Sequence, residues 1–322
     1  MKAVVYDKYG RSDILKLEEM PIPQAKEGEV VVKVAATSIN AGDLHMRNGE
    51  PFIARLYAGL FRPKQRILGT TFSGEIVGMG SQVQRFEIGD QVFGSLGNRF
   101  GTHTEYLVIK EEGLIVKKPQ AISHKAAATL AFGPQTGLYF LRKTGQPLED
   151  KSILVIGASG GVGSALVQLA KSEKMVVTGI ASGATADWVL EIGADRVIDY
   201  KKEDILKLKQ TYDFIFDTTS YYKISGLKKL LNKNGTLIRL ELSFSTVLNM
   251  LLPSKIGKKI IFDVSKVTRE DLLSLSEMVL SGDYKPLIEK TYPIESFREA
   301  HQHAEKSGKK GSVVMVMQDH ME

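Results

Sequence analysis

Gly157, Gly160 and Gly163 recur at every third residue in the run GASGGVG (157–163). The run lies between an apolar β-branched stretch, Ile153 to Ile156, and a helical pattern that begins at Ser164. A strand that turns sharply into a helix needs a tight reversal and close packing of helix on sheet. A phosphate at that turn also needs backbone with no Cβ in its way. The N–H groups freed at the start of the helix, with the positive end of its dipole, then suit a pyrophosphate. Gly157, Ala158, Ser159, Gly160, Gly161, Val162 and Gly163 are therefore candidate cofactor-binding residues. The spacing is not the G-x-G-x-x-G fingerprint, and a glycine triplet alone also serves an ordinary tight turn. The flanking strand and helix, with a second strand at 175–181, point to a dinucleotide.

The second strand bears on which dinucleotide. An NAD-preferring site carries Asp or Glu about 20 residues beyond the glycines, bonded to the ribose 2′-hydroxyl. Here the strand runs out as TGIASGATADW (178–188); Thr178 to Ala186 hold no acid, and Ser182 stands where one would sit. A hydroxyl leaves room for a 2′-phosphate that a carboxylate would repel. The expected cofactor is NADPH, with NADH as the open alternative.

Composition narrows the chemistry further. Cysteine is absent, which excludes disulfides and thiolate-held zinc or iron–sulfur centres. The six histidines form no spaced cluster with carboxylates, so no metal site is expected. Lys and Arg number 43 against 37 Asp and Glu, a formal charge of +6. That excess is spread along the chain, which suits a small anion better than a nucleic acid. The start, MKAVVYDKYG, reads as a strand and turn rather than a targeting segment. The apolar stretch 242–252 is shorter than the roughly 20 residues that cross a bilayer. A soluble cytoplasmic protein is expected.

The elements that must position these residues fall into two kinds, and 322 residues suit two domains. Short β-branched runs at 29–40, 72–80, 90–96 and 103–109, separated by glycine, proline and asparagine, make the first 120 or so residues β-rich. A helical stretch follows at 124–145. Strands at 152–158, 175–181, 196–199, 213–217, 235–242 and 259–264 then alternate with helical patterns at 162–174, 185–193, 222–232 and 245–252. Such alternation predicts a doubly wound parallel sheet. The tail returns to a helix (269–281), an extended piece (287–294), a helix (295–306) and a closing strand (311–317).

The stretches SINAGDLHMRNG, GDQVFG, GASGGVGSALVQLAK, EIGADRVIDY, DFIFDTT and KKGSVVMV resemble the zinc-free medium-chain dehydrogenase/reductases of quinone oxidoreductase type. The similarity is strongest to the branch of chloroplast-envelope quinone oxidoreductase homologues and mitochondrial reticulon-interacting relatives. It implies an α/β fold: a Rossmann NADP(H)-binding domain (125–265) beside a β-rich, partly open barrel-like catalytic domain formed by both chain ends (1–124 and 266–322). It further implies a homodimer that moves hydride to a quinone or an α,β-unsaturated carbonyl. By position, Ser182 and Tyr200 would meet the adenosine phosphate, and Asn40 and Thr136 the nicotinamide ribose and ring. Tyr200 also reads as a surface aromatic, and Thr136 as a hydroxyl bonded to its own helix.

Zinc-dependent cousins place Cys before the Asp of the first motif and Gly-His-Glu later. This chain has Ala41 and Gly42 before Asp43, and LGTTFSG in the second place. His45 stands where the family often has an aromatic residue, and would either donate to a substrate oxygen or merely solvate a loop. Asp43 is expected to fix that loop, and Arg47 to be an anion contact or, as the favoured reading, a surface charge. The Lys that some members use on the 2′-phosphate is replaced by Ala184, Thr185 and Ala186, which leaves Lys201 or Lys202 as nearby cations. Residues 52–66, FIARLYAGLFRPKQR, would form an apolar lid over the acceptor or a helix docked on its own domain. The apolar 242–252 stretch would line a pocket or a dimer contact. An alcohol/carbonyl dehydrogenase and a non-catalytic NADP(H) sensor stay open beside the reductase.

Overall fold

The computed structural model describes residues 1–317 apart from 51, 53, 146, 241–257 and 264. The expected strand end at 241–242, the expected helix at 245–252 and the apolar 242–252 stretch lie outside the described residues.

Fifteen named strands form three sheets. A short antiparallel hairpin pairs β1 (Lys2–Val5) with β2 (Lys16–Glu19). A seven-stranded sheet takes β3 (Glu29–Ile39), β4 (Thr71–Met79), β5 (Gln91–Ser95), β6 (Tyr106–Lys110) and β7 (Leu114–Lys117) from the first part of the chain. The central six-stranded sheet is parallel throughout, with β8 (Ser152–Ile156), β9 (Val176–Ala181), β10 (Arg196–Asp199), β11 (Tyr212–Asp217), β12 (Leu231–Arg239) and β13 (Lys259–Phe262). The last two strands, β14 (Ile288–Pro293) and β15 (Ser312–Val316), return to the seven-stranded sheet.

In the six-stranded sheet the order β10-β9-β8-β11-β12-β13 is that of a doubly wound dinucleotide fold. Its topological switch point lies between β8 and β11, where ligands bind at the carboxyl ends of the strands. Each face is covered, as a parallel sheet requires. One face buries Leu154, Ile156, Ile180, Ile215 and Leu237. The other packs Ile153, Val155, Phe214 and Phe216 against Leu166, Leu169 and Phe140.

The helical region expected at 124–145 is two helices, α3 (His124–Leu130) and α4 (Gly133–Lys143). They part at Ala131 and Phe132, and Pro134 occupies the first turn of α4, where its missing N–H costs nothing. Helix α3 lies on β3, β4 and β15, whereas α4 packs against α5 (Gly161–Ser172). Helix α6 (Gly183–Glu191) begins two residues earlier than expected, with Ser182 as its N-cap. The helix expected at 222–232 shrinks to α7 (Ile224–Leu227) and one 3₁₀ turn, whereas the one expected at 269–281 forms in full as α8 (Arg269–Ser281). Strand β12 starts at Leu231, opposite Tyr212, because a register shift lets the chain reach its neighbour before Gly235.

The decisive tertiary feature is the route of β15. It pairs antiparallel with β3, Val313 opposite Ile39 and Val316 opposite Ala36. Just before it, Gly311 forms a bridge with Gly160 and donates its N–H to Ser159 O at 3.1 Å. The two large sheets thus meet through the backbone here, in addition to the core they share. Gly311 has φ +104, and a Cβ there would fall 2.5 Å from Leu287 O. Gly311→Ala should therefore cost roughly 1–3 kcal/mol of stability from backbone strain. A lower urea midpoint and weaker cofactor binding are expected together; an unchanged midpoint would show that the crossing tolerates a side chain.

Candidate functional site

The seven candidate residues of the glycine turn divide by task. Gly157 takes φ +81, and a Cβ on it would meet Thr218 Oγ1 at 2.3 Å, so it fits the turn against the end of β11. A Cβ on Gly163 would overlap Gly157 O at 2.1 Å, so Gly163 sets the packing of α5 on the turn. Ala158 is buried in the core, and the Ser159 carbonyl is used by Gly311. The Val162 side chain packs on the core as well. Gly160 and Gly161 face space: a Cβ on Gly160 has its nearest neighbour at 3.5 Å, and one on Gly161 lies 3.7 Å from Ser312 Oγ. Gly160 is the N-cap of α5 and offers no side-chain cap. The first turn of the helix thus keeps backbone donors for an anion.

Helix α4 abuts the same turn. A Cβ on Gly133 would sit 2.5 Å from Gly161 O. One turn further along α4, Thr136 is buried and its hydroxyl lies 3.3 Å from Ser265 Oγ, rather than bonding to its own helix.

At the end of β9, Ser182 is buried with its Oγ 3.3 Å from Thr185 Oγ1. Tyr200 is exposed at the adjoining end of β10, with its N–H on Ala181 O. Two neighbours escape a reading along β9 alone. Asp199 lies so close that a Cβ on Gly183 would meet its Oδ2 at 2.6 Å. From the other sheet, a Cβ on Gly308 would lie 3.7 Å from Ser182 Oγ, so the lysine-rich 306–310 stretch passes this corner.

The first chemical motif forms helix α1 (Ala41–Asn48). Asn40 caps it: its Oδ1 accepts from Gly42 and Asp43 N–H, and the Asp43 carboxylate accepts from Asn40 N–H at 2.8 Å. This reciprocal box fixes the helix start. The Asn40 amide donates to Thr70 Oγ1 at 2.8 Å, and Asp43 Oδ1 also accepts from Gly69 N–H at 2.9 Å. Asn40 and Asp43 are thereby brought together, with Asp43 fully buried. His45 is exposed on the side of α1 turned away from Asp43 and Arg47.

Arg47 is not a surface charge. It is fully buried and reaches α9 (Phe297–Glu305), where it pairs with Glu305 and lies 3.2 Å from His301 Nδ1; it also donates to Gly10 O and Asn48 Oδ1. Spacing of four residues on one helix puts Asp43 and Arg47 on a common face, and that face turned inward. His301 meets His103 edge to face at 5.3 Å, and both are buried. Both ring nitrogens of His103, Nε2 of His301 and the Tyr6 hydroxyl have no hydrogen-bond partner among the described residues. Burial pushes His103 down to about 3 and holds His301 well below the ordinary histidine range. Burial pushes Asp43 up to about 7, against the pull of its two backbone donors and Arg47.

Beside α1 lies a groove of about 340 Å³, lined by Met46, Leu56, Ala58, Lys64, Gln65 and Asn98. Leu56, Ala58, Lys64 and Gln65 form one wall. Helix α2 (Ala54–Ala58) is pinned by Arg55, whose Nε donates to Gly49 O and whose guanidinium stacks on Tyr9 at 4.5 Å. Phe52, Leu56, Leu60 and Phe61 are exposed.

Two family models match the chain, one described as an alcohol dehydrogenase GroES-like domain (residues 26–120) and one as a zinc-binding dehydrogenase (192–315). The chloroplastic quinone oxidoreductase QR1 of Triphysaria versicolor is 32% identical, over 93% of each chain. The chain belongs to the medium-chain dehydrogenase/reductase family, in its quinone oxidoreductase branch. The chloroplastic NADPH-dependent alkenal/one oxidoreductase of Arabidopsis thaliana is 30% identical over 98% of this chain and 79% of its own. The solved quinone oxidoreductase of Coxiella burnetii superposes with a TM-score of 0.88 at 26% identity, covering 98% of this chain and 99% of that one. The β-rich part is a seven-stranded sheet that does not close into a barrel among the described strands, in keeping with the partly open form expected.

The residues do not fit the zinc that the second model's description implies. Cysteine is absent, and no group of three or more His, Asp or Glu among the described residues is placed to hold a metal ion. Where zinc-dependent relatives carry their second ligand motif, the Thr70 and Thr71 hydroxyls are engaged by Asn40 and Ser38.

The buried cluster makes stability depend on pH in a resolved direction. An unfolded histidine protonates below about 6.5, so the contribution of neutral His103 is present above that pH and lost on the way down. Asp43 has the opposite sign: its folded value is raised, so its contribution is full below about pH 4 and lost as pH rises through 7. Between pH 7 and 5 buried His103 should cost about 2 kcal/mol, Asp43 should return a similar amount, and His301 adds to the loss in the same direction as His103. Urea unfolding should therefore show a net loss of stability at pH 5, in the direction set by His301. His103→Gln should flatten that dependence and Asp43→Asn should steepen it. Equal wild-type stability at both pH values would contradict the neutral burial of the histidines.

Proposed function

We propose that this protein is a zinc-independent, NADPH-dependent reductase that moves hydride to a quinone or to the β-carbon of an enal or enone. The observation that carries it is the meeting of the glycine turn with the Asn40 end of β3 across β15, with no metal-binding set among the described residues. Relatives named for quinone, alkenal/one and 2-methylene-furan-3-one reduction support the substrate class.

The nicotinamide dinucleotide supplies the hydride. Gly160, Gly161 and the first turn of α5 hold its pyrophosphate, with Gly157, Ala158, Ser159, Val162 and Gly163 shaping that turn. Ser182 and Tyr200 meet the 2′-phosphate. Thr136 and Asn40 orient the nicotinamide end, and Asp43 keeps Asn40 in place. With no Lewis acid, deprotonating an alcohol is hard, whereas a conjugated acceptor takes hydride once it is held close and its oxygen is hydrogen-bonded. One proton completes each reduction, from solvent or from exposed His45. A cytoplasmic homodimer belongs to the same reading; it rests on the family resemblance and the cysteine-free composition.

The direct test is NADPH and NADH consumption by chelator-treated protein offered a quinone, a medium-chain enal and a simple aldehyde. Rapid NADPH loss with the quinone or enal alone is expected. Tight NADPH binding with no turnover on any acceptor would replace the reductase by a sensor. Gly160→Val should abolish cofactor binding while leaving the melting temperature nearly unchanged, since its backbone is unstrained and its Cβ has room. Ser182→Asp should weaken NADPH far more than NADH, since Asp and Ser are comparable N-caps and the new feature is the charge. Equal weakening of both cofactors would remove Ser182 from the 2′-phosphate site.

A further inference from the structure

The loop that follows α2 is built, yet its tip is bare. Lys64 N–H donates to Ala58 O at 2.8 Å and closes residues 58–64 into a tight turn. Gly59 makes the turn possible: its φ is +122, and a Cβ there would fall 2.0 Å from Arg62 O. Tyr9 fixes the base from below, its hydroxyl donating to Gly59 O at 2.5 Å. Above this anchored base, Phe61 is 86% exposed and Leu60 lies exposed beside it; Leu56, on α2, is 67% exposed. Ordinary surface hydrophobes are scattered singly, whereas large apolar side chains gathered on one rigid loop mark an interaction site.

The charges around the tip select the partner. Arg62 and Lys64 are exposed within the loop, and Lys8 and Arg11 are exposed on the segment held to it through Tyr9. Against them stand the exposed acids Glu50 and Asp13; Asp7 is engaged by Arg66 and Lys16. Cations therefore prevail around an apolar tip. A second copy of the chain is a poor occupant, because the adjoining groove is lined by Lys64 and Gln65 and contains no carboxylate. An anionic bilayer meets both requirements at once, taking the apolar tip below its headgroups and the flanking cations at its surface.

We propose that residues 56–64 dock this protein on anionic lipid membranes, with Leu60 and Phe61 inserted and Arg62 and Lys64 at the headgroups. The consequence for function rests on the reductase reading: the groove walled by Leu56, Ala58 and Lys64 then opens beside the bilayer, where apolar acceptors concentrate.

The test is co-sedimentation of the full chain with phosphatidylcholine vesicles, with and without phosphatidylserine, in the absence of cofactor and acceptor. Binding to the anionic vesicles alone is expected, weakened by raising the salt. Phe61→Ser and Arg62→Ser should each weaken it roughly tenfold, with turnover of a water-soluble quinone unchanged. No binding to either vesicle, or binding that both variants retain, would overturn the proposal. So would a shift from dimer to monomer in Phe61→Ser by light scattering, which would make the loop a contact between copies. Vesicle binding is read without catalysis, so a failed reductase assay leaves this result standing, and the converse holds.

Discussion

The hydrogen bond from Gly311 N–H to Ser159 O, with the bridge between Gly311 and Gly160, is the contact on which the rest depends. It is a backbone contact between two glycine-bearing segments about 150 residues apart in sequence, so its geometry is set by the main chain. On one side of it the six-stranded sheet presents the dinucleotide turn. On the other, β15 pairs with β3 and carries that strand's end, with Asn40, toward the same place. Ser312, the first residue of β15, lies beside Gly161. The crossing seats the glycine turn against the start of α1, within a core that also joins the two sheets through Phe93, Val116 and Leu130.

Beneath α1 a second constraint works at a cost. Asp43, Arg47, His103 and His301 are all buried, and several of their polar atoms have no partner. Taking such groups out of water is unfavourable unless they are paired. The arrangement persists because each charge also holds a mechanical link. Asp43 joins the start of α1 to Gly69, and Arg47 joins its end to α9. Helix α9 in turn leads into the 306–311 stretch that passes Ser182 and reaches Ser159. The buried cluster and the backbone crossing are thus two ends of one C-terminal arm that connects the substrate side to both ends of the cofactor side.

Much of this was legible along the chain. The strand, glycine turn and helix at 152–172 declare themselves because their demands are local: β-branched residues, missing side chains, then helical periodicity. Alternation in the middle of the chain fixes the parallel sheet, and the missing ligands at 41–42 and 69–71 exclude zinc by residue type. What failed locally did so for identifiable reasons. The 124–145 stretch has helical composition throughout, yet packing on two different sheets breaks it at Phe132. Leu230 and Leu231 read as helix, but pairing with Tyr212 draws Leu231 into a strand.

The sequence by itself determined the chemistry on offer: a phosphate-binding turn, a corner without an acid on β9, and no thiolate to hold a metal. These follow from which atoms are present and from interactions within a few residues. Only the tertiary structure decided where Arg47 and Asp199 stand. Arg47 has the composition of a surface charge and became a buried tie because α9, some 250 residues later, supplies Glu305 and His301. Asp199 ends β10 whereas Ser182 follows β9, and only parallel pairing of those strands, Asp199 opposite Ala181, brings the two together. Long-range pairing has no local signature, since the partner's distance along the chain leaves no mark on either segment.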